Sequence, residues 1–500
     1  MTRIAASSDT EVLYIHAPKL PGWVTQTWRE AFASFQVMPV GAVALANLLQ
    51  DSGFAVTGLN YAMELDLDPD FDLHAWLRSR SAPLLVMIDL HWLEHSFGAL
   101  EVARVSKEIH PDAPVVLGGL TASLYAAEIL REFPQVDYVI RGDAEAGVLG
   151  LARHLAVGAP ELNEVPNLCR RGGSPGDEAI EREVIRNPLT YTADSEALDR
   201  LDFVRLDFLQ RREDYYWRQS SQYGVVRGHW LCMGRGCTYD CCWCGGGKSA
   251  QAFIAGRNGL ALRSPDRLVE DLVRVADLGL DQAALTHDLA LGGRRYWEQV
   301  LGGLRSDGAR IGLWHQQFQL PSDAFLSALA DSARTDVSLL ELSPLSGNEE
   351  VRRLNGKLFS NEEFLHALDT CRAWEIPVFV YFSLNLPGED DDTYEETLAL
   401  ARRVRDVYPA QLLRMTNMFH TIDPGSAMER QPERFGLRPR WNCFLDYYRY
   451  CQLPTEAQDD EAVAALRGFE AVEPRALTRM FEQWVDLCHE LGEDTCLHFP

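Results

Sequence analysis

The first 150 residues alternate short apolar runs with segments whose apolar positions recur at helical spacing. Five runs predict buried strands, over Glu11–Ala17, Phe54–Leu59, Leu84–Leu90, Val115–Gly118 and Asp137–Arg141. Helices are predicted between them, over Val40–Asp51, Phe97–Ile109 and Ser123–Phe133. Strands that alternate with helices predict an α/β fold with a doubly wound, Rossmann-like parallel sheet over residues 1–150. Such a sheet binds ligands at the carboxyl ends of its strands.

The alternation resumes at residue 225 and continues to about residue 430. Six apolar runs predict strands, over Val225–Met233, Gln282–His287, Ile311–Gln317, Val337–Ser343, Val378–Leu384 and Leu412–Phe419. Pro265–Leu278 and Asn361–Ala373 are two of the helices predicted between them. Six strands are fewer than the eight of a closed barrel, so we expect a partial (β/α)6 barrel. Residues 151–224 are interpreted as a bridge. Residues 431–500 are expected to be a mainly helical C-terminal addition that covers the barrel mouth and shapes a substrate pocket.

Charge and composition narrow the classes of partner. The formal net charge is −26, and general binding to a phosphate backbone uses basic surfaces, so no nucleic-acid partner is expected. The longest apolar stretch, Pro39–Leu49, is too short to span a bilayer, and Met1–Thr10 has no apolar signal region. An odd number of cysteines, 11, argues against a disulfide framework. We therefore expect a cytoplasmic protein with no membrane partner.

Cys237, Cys241 and Cys244 are the most informative residues of the chain. Their C-x3-C-x2-C spacing lies on a tight loop, and a run of three glycines, Gly245–Gly247, follows it. Three thiolates can bind three irons of a [4Fe–4S] cluster and leave the fourth iron open to a ligand. A zinc site is an alternative that needs a fourth ligand, from Cys232 or a distant histidine. The remaining alternative is an iron–sulfur protein for electron transfer or redox sensing.

The other cysteines lie outside this spacing. Cys232 and Cys242 are interpreted as packing residues. The same interpretation applies to the C-terminal cysteines, Cys443, Cys451, Cys488 and Cys496.

Residues 234–247 resemble the cluster loop of radical S-adenosylmethionine (SAM) enzymes. The resemblance implies that the open iron chelates SAM and that reduction of the cluster yields a 5′-deoxyadenosyl radical. It also implies a low-potential electron donor such as flavodoxin or ferredoxin. Segments at the predicted strand ends are similar to the SAM-contacting segments of the family, although Leu345 stands where a glutamate is frequent. The residues implied to bind SAM are Gly245, Gly246, Gly247, Asp288, Glu341, Ser343, Ser346 and Gly388.

Residues 11–147 resemble the cobalamin-binding domain that precedes the radical SAM domain in the class B subclass. The similar segments are 38–46, 115–121 and 136–145. They imply cobalamin contacts from Pro39, Gly118, Gly119, Thr121, Ser123, Arg141, Gly142, Asp143 and Glu145. The D-x-H-x-x-G motif, whose histidine binds cobalt from below, is missing after the first strand. Either cobalamin binds without a protein histidine, or the domain has kept the fold and lost the cofactor.

Two histidines lie near the third predicted strand. His91 is the residue whose imidazole could coordinate cobalt, which would contradict cobalamin binding without a protein histidine. His91 and His95 stand at i, i+4 spacing, which suits either a metal-binding pair or a capping pair at the edge of the core.

Together the two resemblances imply a cobalamin-dependent radical SAM methyltransferase. The expected methyl acceptor is an unactivated carbon of a small molecule or peptide in specialised metabolism, with phosphorus as the alternative acceptor atom. Cyclisation, ring contraction and oxidative rearrangement are the alternatives within the same cofactor class.

Overall fold

The computed structural model describes residues 11–19, 36–172, 183–222, 224–452, 469–492 and 494–497. The chain forms two compact units. The first comprises Met1–Tyr215, Ser249–Gly259 and Trp441–Thr455. The second comprises Tyr216–Lys248, Leu260–Arg440 and Glu456–Pro500. The region expected to be one C-terminal addition therefore contributes to both units.

The first unit is built on a seven-stranded sheet with the strand order β2-β1-β3-β4-β5-β6-β7. Its strands are β1 Glu11–His16, β2 Ala55–Asn60, β3 Leu85–Asp89, β4 Val115–Gly118, β5 Tyr138–Ile140, β6 Leu168–Arg171 and β7 Val184–Arg186. The first five pair in parallel, which confirms the predicted doubly wound sheet. Strands β6 and β7 extend it with antiparallel pairs and lie within the predicted bridge.

Helices cover this sheet and bury one apolar core. Their bounds are Val40–Asp51, Tyr61–Leu67, Leu73–Arg78, Ser96–Ile109, Leu120–Leu124, Ala126–Glu132, Glu145–Val157, Ser195–Asp199, Arg212–Tyr216, Lys248–Ala255 and Phe444–Tyr450, with a 3-10 turn at Leu93–His95. The core includes Leu13 and Ile15 of β1, Val86 of β3 and Leu117 of β4. The helix predicted over Ser123–Phe133 is two helices, because the backbone at Tyr125 leaves helical geometry.

The second unit contains another seven-stranded sheet, in which every pair is parallel. Its order is β18-β15-β14-β13-β12-β11-β8. The strands are β8 Gly228–Leu231, β11 Gln282–Leu285, β12 Gly312–Gln317, β13 Leu339–Leu345, β14 Val378–Leu384, β15 Leu413–Phe419 and β18 Cys496–Leu497. The six predicted strands are confirmed. The two-residue β18, which pairs with β15, was not predicted.

Two short antiparallel pairs lie beside this sheet. They join β9 Gly234–Arg235 to β10 Ala261–Leu262, and β16 Arg438–Pro439 to β17 Phe469–Glu470. The helices of the unit are Pro265–Asp277, Arg294–Asp307, Asp323–Ser332, Glu349–Leu354, Asn361–Ala373, Asp391–Val407, Ala427–Arg430 and Pro474–Leu491. Single 3-10 turns cover Leu289–Gly292, Thr335–Val337, Ala410–Leu412 and Pro432–Phe435.

Local sequence signals explain where several helices begin. Ser264 accepts a hydrogen bond from the backbone of Arg267, and Pro265 occupies the first helical turn, where its missing N–H costs nothing. Ser360 and Glu363 form a reciprocal capping box at the start of Asn361–Ala373. Among the described residues, no helix has both the length and the apolar character that a bilayer crossing requires.

Candidate active site

The three predicted ligand cysteines lie on one turn that follows β8 and β9. The turn is closed by backbone hydrogen bonds from Cys244 to the Cys241 carbonyl (3.1 Å) and from Lys248 to the Tyr239 carbonyl (2.9 Å). Two sulfurs accept backbone N–H groups, Cys237 Sγ from Tyr239 at 3.4 Å and Cys244 Sγ from Gly246 at 3.3 Å. Such N–H groups favour sulfur in its anionic form.

Burial raises the pKa of the Cys237, Cys241 and Cys244 thiols. For Cys244, the negative charges of Asp423, Cys241 and Cys237 raise it further. Three neighbouring, at least partly buried thiols with raised pKa values need a positive centre if all three are to be thiolates, and bound iron supplies one. The donor set therefore fits the cluster that the spacing predicts.

Two glycines of the run after Cys244, Gly245 and Gly247, pack closely against neighbouring atoms. A Cβ on Gly245 would come within 2.9 Å of Asp423 Cβ, and one on Gly247 within 3.2 Å of the Cys244 carbonyl oxygen. The Gly245 N–H donates to Asp423 Oδ2 at 2.9 Å, and burial raises the pKa of this carboxyl to about 6. The turn after β15 thus fixes the glycine run, and Asp423 was not among the predicted site residues.

The surroundings of Cys232 and Cys242 are those of packing residues. Cys232 is 1% exposed. Cys242 and Trp243 pack against the cluster of Met428, Leu437 and Phe469. Cys242 Sγ also approaches the Leu354 carbonyl oxygen at 3.6 Å.

A second segment, residues 354–358, packs against the cysteine loop, and the sequence alone did not predict this contact. Gly356 has φ +92°, and a Cβ there would lie 3.5 Å from Cys241 Sγ. The Trp243 indole N–H donates to the Asn355 carbonyl at 3.3 Å. The Asn355-Gly356 dipeptide at the end of the helix Glu349–Leu354 is a turn signal, but it does not reveal what the turn contacts.

This segment places a buried ammonium group beside the cysteines. Lys357 is 5% exposed, and its Nζ donates to the Phe318 carbonyl at 2.8 Å. Burial lowers the pKa of Lys357, an effect opposed by the negative charges of Cys241, Asp288 and Cys244. A buried cation is stable only where anions surround it, so this position suits an anionic cluster and its ligand.

Asp288 follows β11 and is 3% exposed. Its oxygens accept backbone N–H groups from Ala290 (2.8 Å) and Phe318 (3.1 Å). Burial raises the pKa of Asp288 to about 6, while these hydrogen bonds and Lys357 act in the opposite direction. The neighbouring His287 lies 3.0 Å, through Nε2, from the Gly236 carbonyl oxygen of the cysteine loop. The structure therefore brings the predicted Asp288 together with the cysteine loop.

The other residues predicted to bind SAM have varied surroundings. Glu341 Oε1 accepts hydrogen bonds from Trp314 Nε1 (2.9 Å) and from the Tyr381 hydroxyl (3.4 Å). Ser343 Oγ accepts a hydrogen bond from Gln316 Nε2 at 3.4 Å.

Ser346 is fully buried, and its hydroxyl lies 3.2 Å from that of Thr397 and accepts the Asn348 N–H at 3.1 Å. Gly388 has φ +85°, with Leu354 Cδ2 at 3.1 Å from a would-be Cβ. Leu345 packs with Val351 and Leu386. SAM contacts by Glu341, Ser343, Ser346 and Gly388 stay predictions.

Glu341 belongs to a polar and aromatic face of the second sheet. The register places Gln316, Glu341, Phe379 and Arg414 side by side on four strands, and none of the four is fully buried. The residues that precede them in the strands, such as Leu340 and Val378, are 0% and 1% exposed. Unlike the interior of a closed barrel, this face is only partly filled.

In the first unit, Gly118 is the last residue of β4, and Gly119 follows it. A Cβ on Gly119, where φ is +111°, would come within 2.7 Å of the His91 backbone. A Cβ on Gly118 would meet only the Ile140 carbonyl oxygen, at 4.0 Å. Gly118 thus leaves open space at the carboxyl end of the strand, where a doubly wound sheet binds its ligand. This cradle fits a bulky ligand such as cobalamin.

The predicted polar residues around this cradle fix its loops. Ser123 Oγ donates to the Gly119 carbonyl at 2.6 Å and accepts the Gly142 N–H at 2.9 Å. Thr121 Oγ1 donates to the His91 carbonyl at 3.0 Å.

The remaining predicted cobalamin residues stand at the start of helices or in buried polar pairs. Arg141 donates to the Asn187 carbonyl at 2.6 Å. Asp143 pairs with Arg257 and accepts the Ala193 N–H at 2.7 Å. Glu145 begins the helix Glu145–Val157, and Pro39 immediately precedes the helix Val40–Asp51. Their contacts with cobalamin stay predictions.

Comparison with known protein families agrees with both halves of the chain. The B12 binding domain model matches residues 31–152, and the radical SAM superfamily model matches residues 231–401. The fold and the cysteine site thus define a radical SAM enzyme that carries a B12-binding domain. The chain combines a B12 binding domain with a radical SAM domain, and the cofactors of these domains are cobalamin, a [4Fe–4S] cluster and SAM.

Individual relatives are distant. The hopanoid C-3 methylase of Methylococcus capsulatus is 26% identical over 246 residues, which cover 48% of this chain and 41% of the relative. A tRNA-2-methylthio-N(6)-dimethylallyladenosine synthase of Salinispora arenicola is 23% identical, over 62% of this chain and 53% of the relative. The matches therefore span about half the length of these relatives.

Among solved structures, the radical SAM methyltransferase TsrM of Kitasatospora setae aligns with a TM-score of 0.63 and 17% identity. The alignment covers 86% of this chain and 81% of that one. TsrM has also been solved with a tryptophan substrate and a SAM analogue. This likeness shows the fold.

Proposed function

We propose that the protein is a methyltransferase that transfers a methyl group to an unactivated carbon of a small molecule or peptide. The observation that carries this proposal is the presence of two fitted sites in one chain, the cysteine turn of the second unit and the Gly118–Gly119 cradle of the first. Methylase and methyltransferase names among the relatives support the same reaction type.

The cofactors supply the difficult chemistry when bound. The conversion would use two SAM molecules and two electrons from an external donor: one SAM would supply the methyl group and leave S-adenosylhomocysteine, and the other would be cleaved to methionine and 5′-deoxyadenosine, which takes up the hydrogen atom removed from the substrate carbon. The second product is therefore 5′-deoxyadenosine.

The chain's own residues bind and orient the cluster and SAM. Cys237, Cys241 and Cys244 hold the cluster, and the glycine run lets a ligand approach its open side closely. The buried carboxylate of Asp288 offers a site for an ammonium group, and the Lys357 ammonium offers one for a carboxylate. An amino acid group such as that of SAM carries both charges.

The partly filled face of the second sheet is the proposed substrate side. Trp230 and Trp314 lie on it with ring centroids 4.8 Å apart, and Tyr381 and Glu341 add polar groups. Aromatic side chains with a few polar groups form sites for small organic molecules. The tryptophan substrate of TsrM belongs to that class. We also propose a low-potential electron donor such as flavodoxin or ferredoxin as the partner.

The product ratio tests the proposal. Protein produced with ample cobalamin and reconstituted anaerobically would be reduced in the presence of SAM carrying a deuterated methyl group and of candidate small molecules. We expect S-adenosylhomocysteine and 5′-deoxyadenosine in equal amounts, with the deuterated methyl in the product. 5′-Deoxyadenosine with no S-adenosylhomocysteine would instead indicate a cyclisation or rearrangement. A Cys241→Ala variant is the control, since it should form no 5′-deoxyadenosine.

A further inference from the structure

A second group of ligand-type side chains lies inside the first unit. His16 ends β1, Asp89 ends the neighbouring β3, and His95 ends the 3-10 turn that follows. Because Ile15 pairs with Ile88, the next residues of the two strands, His16 and Asp89, lie side by side. One ligand atom from each of the three side chains lies within 4.8 Å of the other two.

The group is closed off from solvent. Both histidines are 0% exposed and Asp89 is 7% exposed. His16 Nδ1 lies 3.0 and 3.1 Å from the two carboxylate oxygens of Asp89, and the rings of His16 and His95 are 5.1 Å apart. The Tyr14 hydroxyl donates to Asp89 Oδ1 at 2.7 Å and fixes the orientation of the carboxylate.

A metal ion binds neutral imidazole and ionised carboxylate, so an ion at this position would displace the proton that His16 Nδ1 and Asp89 share in their 3.0 Å hydrogen bond.

Two imidazole nitrogens and one carboxylate oxygen form a known type of donor set for divalent transition metals. Metal–ligand bonds of about 2.0–2.2 Å require ligand atoms roughly 3.0–3.5 Å apart. The His16–Asp89 separation already meets this requirement, and a side-chain shift of about 1 Å would bring in the third ligand.

We propose that His16, Asp89 and His95 bind a divalent transition-metal ion, and zinc, which binds such donor sets, is the ion used to test the site. Tyr14 acts as the hydrogen-bonding support that metal-bound carboxylates commonly have. The ion would join β1 to β3 at the point where the strand order of the sheet reverses. This inference is independent of the methyltransferase proposal.

Metal analysis of the full-length protein tests the site. The chain would be reconstituted with iron and sulfide so that the cysteines are occupied, equilibrated with micromolar zinc and desalted. We expect about one zinc per chain in addition to the cluster iron, and a zinc X-ray absorption spectrum with nitrogen and oxygen at about 2.0 Å and no sulfur at about 2.3 Å.

Two variants and one control sharpen the experiment. Asp89→Asn and His95→Gln keep the size of the side chains and should lose at least about nine tenths of the zinc. His74→Ala, which removes a partly exposed histidine of the same unit, should keep it. Circular dichroism and cluster absorbance would verify the folding of each variant.

Three results would overturn the inference: no zinc in the unmodified protein, equal zinc in the folded Asp89→Asn variant, or a sulfur shell in the absorption spectrum. The spectrum of the unmodified protein decides the question even if both variants fail to fold. If the His16–Asp89 hydrogen bond only stabilises the packing of the two strands, the unmodified protein should contain no zinc.

Discussion

Lys357 and Asp288 bind the two backbone polar groups of one residue, Phe318. The Lys357 ammonium donates to the Phe318 carbonyl at 2.8 Å, and Asp288 accepts the Phe318 N–H at 3.1 Å. The residue after β12 thus sets the positions of a buried cation and a buried carboxyl group. Both act electrostatically on the cysteine turn: the Lys357 ammonium opposes the rise that burial causes in the pKa of Cys241, and the Asp288 carboxylate adds to the rise that burial causes in the pKa of Tyr239.

Removing the Lys357 charge should weaken SAM binding without preventing cluster assembly. We expect Lys357→Met to raise the dissociation constant for SAM about tenfold, or about 1.4 kcal/mol. Loss of a positive charge should also make the cluster potential more negative, by an amount on the order of 60 mV. Lys357→Arg keeps the charge and is the matched control. Calorimetry and an electrochemical titration measure the two effects, and an unchanged potential in Lys357→Met would assign the lysine to packing.

Asp288 should make SAM binding depend on pH. Its pKa is raised to about 6, so the negative charge that attracts an ammonium group is present above pH 6 and is lost as the pH falls through that value. We expect SAM affinity to decrease below pH 6 in the native protein. The Asp288→Asn variant should bind SAM weakly, and its affinity should not change near pH 6. The Asp288→Ala variant should likewise bind SAM weakly while it keeps the cluster. An unchanged affinity in Asp288→Ala would place the amino-group contact elsewhere.

The cysteine assignment predicts a sharp contrast between adjacent residues. Cys237→Ala, Cys241→Ala and Cys244→Ala should each abolish the iron–sulfur absorbance and SAM cleavage. Each of the three thiolates binds one iron, and no other ligand is expected to replace a missing one. Cys242→Ala should retain the cluster, because Cys242 packs against Met428 and its neighbours. Iron and sulfide analysis after anaerobic reconstitution checks both statements. A full complement of iron in Cys241→Ala would refute them.

The features that the sequence predicted well are contiguous or periodic. The cysteine turn and its glycines lie within eleven residues, Cys237–Gly247, so their spacing alone carries the information. The strands Val115–Gly118 and Val378–Leu384 match the predicted bounds, because they are apolar runs between polar turns.

What the sequence could not predict depends on contacts between distant segments. Lys357 lies 116 residues after Cys241 (357 − 241), and no local pattern indicates that the turn at Gly356 packs against that cysteine. The hydroxyl of Ser346 is held by Thr397, about fifty residues further on. Strand β18 has two residues, too few for any periodicity, and it forms only because β15 offers a free edge.

The backbone at Gly119 should tolerate no side chain. With φ +111° and the His91 backbone 2.7 Å from a would-be Cβ, Gly119→Ala combines backbone strain with a steric clash. Gly158→Ala is the control for a left-handed backbone without a clash, because Gly158 has φ +76° and ψ 10° and nothing lies within 4 Å of a would-be Cβ. Strain alone should cost about 1 kcal/mol, and the clash should add to that. Thermal unfolding and cobalamin content measure the difference, and equal melting temperatures would contradict the close approach.

His91 decides whether a protein imidazole binds cobalt from below. The His91 backbone lies against Gly119, and the His91 carbonyl accepts a hydrogen bond from the Thr121 hydroxyl, so the backbone of His91 is fixed at the cradle. We therefore expect His91→Ala to bind cobalamin with an unchanged absorption spectrum, as binding without a lower protein ligand requires. A spectral shift in His91→Ala would identify that imidazole as the lower ligand.

The cobalamin content of the unmodified protein tests the proposal as a whole. If protein produced with ample cobalamin contains no cobalamin, the domain has kept the fold and lost the cofactor. Radical SAM chemistry of another kind would then replace the methyltransferase proposal.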